Sequence, residues 1–316
     1  VAQRLKEHGI DAHPVGAEDI GLKLKGINRA PIVDLETSMV ELDRSAFFGT
    51  PVITGWFGEG NDGELALLGR GGSDHTATSI ARLVDADKVI LWKDVDGVLP
   101  INPRWGVESS PIPYLGYSEA VELARLDTPV LHPATVEPLR GIGIPLEIRD
   151  LRSVVKDQAA SIIGPDLIQT HKVKAIGCLP NVTRLTVSSS SLEAQSELLG
   201  RVLIGLADEN IACWNLDSIP GQISWIVSQH DLEKANRIIT NHFNAPEVSE
   251  YGVMFSLVGN KLPNVKNALL STEMTSLLEL EIVSITDHAV RVISTRNDIS
   301  VMLETLANEL ELTIKV

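Results

Sequence analysis

Apolar positions follow two different spacings along this chain. From Val1 to about Asp150, short apolar runs alternate with stretches of helical repeat and with glycine-rich turns, the pattern of an α/β layer fold. The clearest strand is Lys88-Val89-Ile90-Leu91-Trp92, whose unbroken apolar character predicts burial on both faces. Before it, Ser73 and Asp74 are positioned to cap a helix that runs through Val84, and after it Asp94-Val95-Asp96-Gly97 reads as a turn. Val1 to His8 has the repeat of an amphipathic helix with no initiator Met and no signal-like region, so the chain is expected to begin inside a fold. Residues 151–174 carry Gly164-Pro165 and a polar run through Lys172 without a strong period, which predicts a connection between domains.

Beyond that connection one order of elements occurs twice. In residues 175–248 the pattern predicts a strand over Asn181 to Ser189, a helix over Ala194 to Asn210, strands over Ile211 to Asp217 and Gln222 to Gln229, and a helix over Leu232 to Phe243. Leu232, Ala235, Ile238, Ile239 and Phe243 form the apolar stripe of that last helix, with Asp231 as its cap. In residues 249–316 the corresponding elements are Val253 to Val258, Pro263 to Leu270, Leu277 to Thr286, Ala289 to Ser294 and Ile299 to Leu310, closed by a strand at Thr313 to Val316. Each copy is a βαββαβ, ferredoxin-like unit, an architecture that implies no activity by itself. The pattern leaves open whether the strand near Lys174 to Gly177 pairs with the distant copy.

Length and composition narrow the class. At 316 residues, two or three domains each have room for a core. No apolar run approaches the roughly 20 residues that span a bilayer, so no membrane partner is expected. A formal charge of -15 without a basic stripe argues against nucleic acid. Cys178 and Cys213 show no metal-ligand spacing and fit buried thiols in a reducing compartment, cytoplasmic or plastid, and no residue is assigned to a metal.

Three stretches carry chemistry. In Leu68-Gly69-Arg70-Gly71-Gly72-Ser73-Asp74-His75-Thr76-Ala77-Thr78, glycines let backbone approach a ligand, a helix start offers unpaired amides, and Arg70 adds a forked cation. Together these describe an anion site, although a bare Gly-Gly-Ser is more often a structural turn. In Trp92-Lys93-Asp94-Val95-Asp96-Gly97-Val98-Leu99, followed by Asn102-Pro103-Arg104, a strand tip sets carboxylates and a cation at the carboxyl edge of a sheet. The third stretch is Tyr117-Ser118-Glu119-Ala120-Val121-Glu122-Leu123-Ala124 with Val130-Leu131-His132-Pro133-Ala134-Thr135, where His132 alone reads as a structural histidine before a proline-initiated helix.

Taken in order, GRGGSDHTAT, WKDVDGVL, NPR, GYSEAVELA and VLHPAT resemble the aspartate kinases, closest to the plant-type branch, over about Val1 to Asp150. The duplicated tail resembles the paired ACT domains of that family. The resemblance implies a nucleotide-side part of an amino-acid kinase α/β domain at 1–150, a linker at 151–174, and ACT domains at 175–248 and 249–316. It implies transfer of the γ-phosphoryl group of ATP, with Mg2+, to the side-chain carboxylate of L-aspartate, the first step toward lysine, threonine and methionine. By this carry-over Arg70 clamps a substrate carboxylate, and Ser73 and Asp74 organise substrate and phosphate, beside Gly71 and Gly72. Lys93 and Asp94 lie on the ribose and base, Leu99 by the adenine, and Arg104 near the phosphates.

The sequence also departs from the family. The Lys-Phe-Gly-Gly string that places a lysine over the transferred phosphate is missing, so the isolated chain is expected to be inactive. Pro129 stands where many members have Lys, and Ser218-Ile219-Pro220-Gly221-Gln222-Ile223-Ser224 replaces an effector motif, leaving lysine and threonine equally open. The ACT pair reads equally as an effector site and as the sheet of a homodimer. A non-catalytic, amino-acid-binding regulatory subunit is the alternative reading, and a kinase acting on glutamate or a carbamate a third.

Overall fold

The computed structural model describes residues 1–26, 31–126, 130–153, 159–167, 172–188, 192–262 and 276–312. It divides into two compact units, residues 1–100 with 110–168, and residues 101–109 with 169–316.

The first unit contains α1 (Ala2–Glu7), β1 (Ala12–Val15), β2 (Leu24–Lys25), β3 (Ile32–Val33), α2 (Leu35–Glu41), β4 (Thr50–Ile53), β5 (Phe57–Glu59) and β6 (Leu65–Leu67). It continues with α3 (Gly72–Leu83), β7 (Val89–Lys93), β8 (Tyr114–Gly116), α4 (Tyr117–Ala124), α5 (Pro133–Val136), β9 (Leu146–Asp150) and β10 (Ser161–Gly164). Four strands form a sheet in the order β7-β9-β10-β8, with β7 parallel to β9 and β10 antiparallel to β9. Lys93 is paired with Asp150, so the carboxyl ends of β7 and β9 lie side by side. Helix α3 differs from its expected start. Its N-cap is Gly71 at φ 75°, no side chain caps it, and Ser73 and Asp74 stand inside its first turn. The glycine supplies the left-handed turn directly, which removes the need for a capping side chain.

The stretch 151–174, expected to be a connection, contains β10, which lies between β9 and β8. An apolar run of this length shows no period, and only pairing reveals it. Val98 is fixed from two sides: its N–H donates to Ser161 Oγ at 2.9 Å and its carbonyl accepts from Ile112 N–H at 2.8 Å. Between these clamped residues the chain passes through 101–109, which belongs to the second unit. Ile101 and Val107 are buried there in one core with Val173, Ile176, Phe255 and Met302.

The second unit adds β11 (Lys172–Ser188), α6 (Leu192–Asp208), β12 (Asn215–Ile219), β13 (Gln222–Ser228), α7 (Leu232–Thr240), β14 (Glu247–Asn260), β15 (Leu280–Ile285), β16 (Ala289–Ser294) and α8 (Ile299–Glu309). All six strands share one antiparallel sheet, ordered β12-β13-β11-β14-β16-β15. The strands expected at Asn181 and Val253 are each the half of a longer one. Residues 182–188 of β11 pair with β13, and residues 172–180 of the same strand pair with 253–260 of β14. The exchange left open by the sequence therefore occurs: each long strand serves both copies. Two separate cores result, one around Trp225, Leu206 and Ile239 and the other around Phe255, Leu303 and Val292. The helix expected at Pro263 to Leu270 and the closing strand at Thr313 to Val316 lie outside the described residues. No helix among the described residues is long and apolar enough to cross a membrane.

Candidate active site

A glycine-rich bend builds the site. After β6, Gly69 accepts a hydrogen bond from Gly72 N–H at 3.0 Å, closing a tight turn that delivers the chain into α3. Helix geometry leaves the first-turn amides of Ser73 and Asp74 without an acceptor one turn earlier, and these carry the positive end of the helix dipole. An open cavity of about 590 Å³ lies over this bend, lined by Trp56, Leu68, Gly69, Arg70, Gly71, Gly72, Ser73 and Asp74. Arg70 and Ser73 are exposed within it, so the cavity presents a forked cation beside amide donors.

Buried polar side chains hold the bend. His75 lies behind it and is buried. Its Nε2 accepts from Val33 N–H at 3.0 Å while Nδ1 donates to the Ala134 carbonyl, so the ring is neutral and bridges β3 to α5. Burial pushes the His75 pKa below its ordinary value, with the hydrogen bond to Ala134 opposing. His132 caps α5 through Nδ1, which accepts from Ala134 N–H at 3.3 Å. Its pKa is lowered by burial and further by the Arg70 guanidinium. Trp56 adopts a left-handed backbone at φ 81°, rare for a large residue. Its N–H donates to Thr76 Oγ1 at 3.1 Å, and Thr76 in turn donates to Gly72 O at 2.9 Å.

The strand tip joins this bend through one contact. Lys93, the last residue of β7, places Nζ 2.6 Å from Asp74 Oδ2. Beside it Arg152 pairs with Asp150 at 3.2 Å and Asp96 at 3.8 Å, which raises the Arg152 pKa, while the Arg152 backbone N–H first and its side chain after it lower the pKa of Asp150.

The residues singled out in the sequence fall into three places. Arg70, Gly71, Gly72, Ser73 and Asp74 share the cavity, and Lys93 is tied to it through Asp74. Asp94 is exposed at the tip of β7 and Leu99 is half-buried beyond it, neither among the lining residues. Arg104 lies in the segment that joins the second unit, its guanidinium 4.5 Å above the Trp105 ring. Pro129 is outside the described residues. The Ser218 to Ser224 stretch forms the β12–β13 hairpin, with Gly221 at φ 86°. Gln195 staples it, donating to Ser218 Oγ at 3.0 Å and Ile219 O at 2.9 Å. Sequence reasoning missed Trp56 as a lining residue, since nothing local marks it as facing a ligand, and included Leu68 only as the first residue of the glycine stretch.

Comparison with known proteins gives a consistent result. The amino acid kinase family matches residues 1–150. Aspartokinase 2 of Bacillus subtilis is 28% identical over 335 residues, covering 99% of this chain and 79% of the relative. The chloroplastic aspartokinase 1 of Arabidopsis thaliana is 36% identical over 154 residues, 48% of this chain and 27% of the relative. Among solved structures, Escherichia coli aspartokinase III in complex with aspartate and ADP superposes with a TM-score of 0.77 at 22% identity, covering 98% of this chain and 72% of that one. That likeness establishes the fold.

Proposed function

We propose that this chain serves an aspartate kinase, taking part in transfer of the γ-phosphoryl group of MgATP to the side-chain carboxylate of L-aspartate; the amino acid kinase family matches residues 1–150, and 99% of the chain aligns with an aspartokinase. One observation carries this reading: Arg70 shares a cavity with the glycine bend and the amino end of α3. A dicarboxylic amino acid needs a forked cation for a carboxylate, and a transferred phosphoryl group needs amide donors and a positive dipole end. Both are present within one turn of chain.

In the reaction a side-chain oxygen of aspartate attacks Pγ, the bond from Pγ to the β–γ bridging oxygen breaks, and ADP leaves with that bond's electron pair. The protein's task is positioning and charge neutralisation rather than covalent participation. Arg70 holds a substrate carboxylate. The Ser73 and Asp74 amides, approached closely because Gly71 and Gly72 have no side chains, receive phosphate oxygens. Asp94 and Leu99, carried over from the family resemblance, serve the ribose and adenine. Magnesium is part of the substrate, held chiefly by phosphate oxygens and water.

The paired modules of the second unit are the regulatory part, taking lysine or threonine and joining two copies of the chain in a cytoplasmic or plastid enzyme. Calorimetric titration with MgADP and L-aspartate tests the reading. Aspartate binding that disappears in Arg70→Ala is the expected result. Failure of both ligands to bind, or aspartate binding indifferent to Arg70, would overturn it.

A further inference from the structure

Four carboxylates surround the end of β7. Asp94 follows Lys93 directly, Asp96 comes after Val95, Asp150 is the partner of Lys93 in the ladder, and Asp74 stands in the first turn of α3. Two cations are shared among them. Arg152 pairs with Asp150 and Asp96, and Lys93 pairs with Asp74 at 2.6 Å. Both partners of the Lys93 pair are about three-quarters buried, with side-chain exposures of 24% and 21%, so water screens this contact less than the exposed Arg152 pairs.

The position of Asp74 gives this pair a consequence. A carboxylate in the first turn of a helix is favoured by the dipole, but it stands among the amides a phosphate would use. Left bare, it opposes an anion arriving at the cavity. Family resemblance put Lys93 on the ribose and base, whereas in the structure its ammonium holds Asp74.

We propose that Lys93 is a positioning residue that acts on the phosphate side of the site through Asp74, neutralising that carboxylate and fixing the strand tip to the amino end of α3. It does not read the nucleoside. This rests on the kinase reading above and specifies how one residue of that site works.

Binding of MgATP and of adenosine to the full chain is compared for wild type, Lys93→Met, Asp74→Asn and the double variant. Lys93→Met weakens MgATP about tenfold and leaves adenosine within about twofold, since only the phosphates meet the exposed carboxylate. In the Asp74→Asn background the same change costs less than about twofold, because no bare carboxylate remains. Lys93→Arg, which keeps the cation, retains most of the MgATP affinity. An equal loss for adenosine, or an undiminished loss in the Asp74→Asn background, would sink the proposal.

If the wild-type chain binds neither ligand, the kinase reading fails by itself and the proposal is read from amide exchange. Lys93→Met should then speed exchange in the first turn of α3 about fivefold with Asp74 present and not with Asn there. Equal rates in both backgrounds overturn it.

Discussion

Gly71 lies so close to His132 that a Cβ on the glycine would stand 2.7 Å from the histidine Cβ. The same glycine is the left-handed N-cap of α3, so backbone conformation and neighbour both exclude a side chain. Gly141→Ala is the natural control, since Gly141 has φ 81° with nothing within 4 Å of its would-be Cβ. Both alanines should cost about 1 kcal/mol for the left-handed backbone, and Gly71→Ala about 1–3 kcal/mol more for the displaced histidine. Urea unfolding measures the difference, and equal losses would show that His132 moves freely.

His75 makes stability depend on pH. Its folded pKa is lowered from 6.5, chiefly by burial, so the unfolded chain binds the proton more readily. The stabilisation is therefore complete above pH 6.5 and is lost as pH falls from there through the folded value. Urea midpoints taken between pH 7.5 and 5 should decline. In His75→Gln the new side chain offers an amide to Ala134 and a carbonyl to Val33 but takes up no proton, so the substitution should flatten part of that decline. A variant with the parent's full slope would assign the effect to other groups, His132 first among them.

Arg70→Lys keeps the charge and removes the fork. Loss of paired donors to a carboxylate should raise the Kd for L-aspartate about tenfold or more, with a smaller change in that for MgATP. Calorimetric titration of each ligand checks this. A change confined to MgATP would place Arg70 on the phosphates instead.

Ile101 should behave as a core residue of the second unit although the residue before it, Pro100, belongs to the first. It is 1% exposed and packs in the cluster of Phe255 and Met302. Ile101→Ala should cost about 2–5 kcal/mol, the usual range for a large core residue cut to alanine. The loss should appear as faster amide exchange in α8 and β14. Faster exchange confined to β7 and β9 would contradict the assignment.

Much of the first unit was legible because local features overdetermine it. The apolar run Val89 to Trp92 is a strand as expected, although burial on both faces fails at Trp92, which is 41% exposed, and Gly71-Gly72 before a helical repeat is a bend. The start of α3 was misplaced because Ser73 and Asp74 have capping side chains, while the conformation of Gly71 makes a cap unnecessary. Strand β10 escaped notice because its short run gains meaning only between β9 and β8.

By itself the sequence determined the two classes of unit, the order of the described strands and helices in the second, and the stretch of chain that forms the glycine bend. Those follow from periodicity and from the conformational freedom of glycine, which act over a few residues. Tertiary structure alone decided that residues 172–180 pair with 253–260, that Lys93 takes Asp74 while Arg152 takes Asp150 and Asp96, and that 101–109 leaves its neighbours for another core. Each is a choice among chemically equivalent partners far apart in the chain, and only the assembled packing distinguishes them.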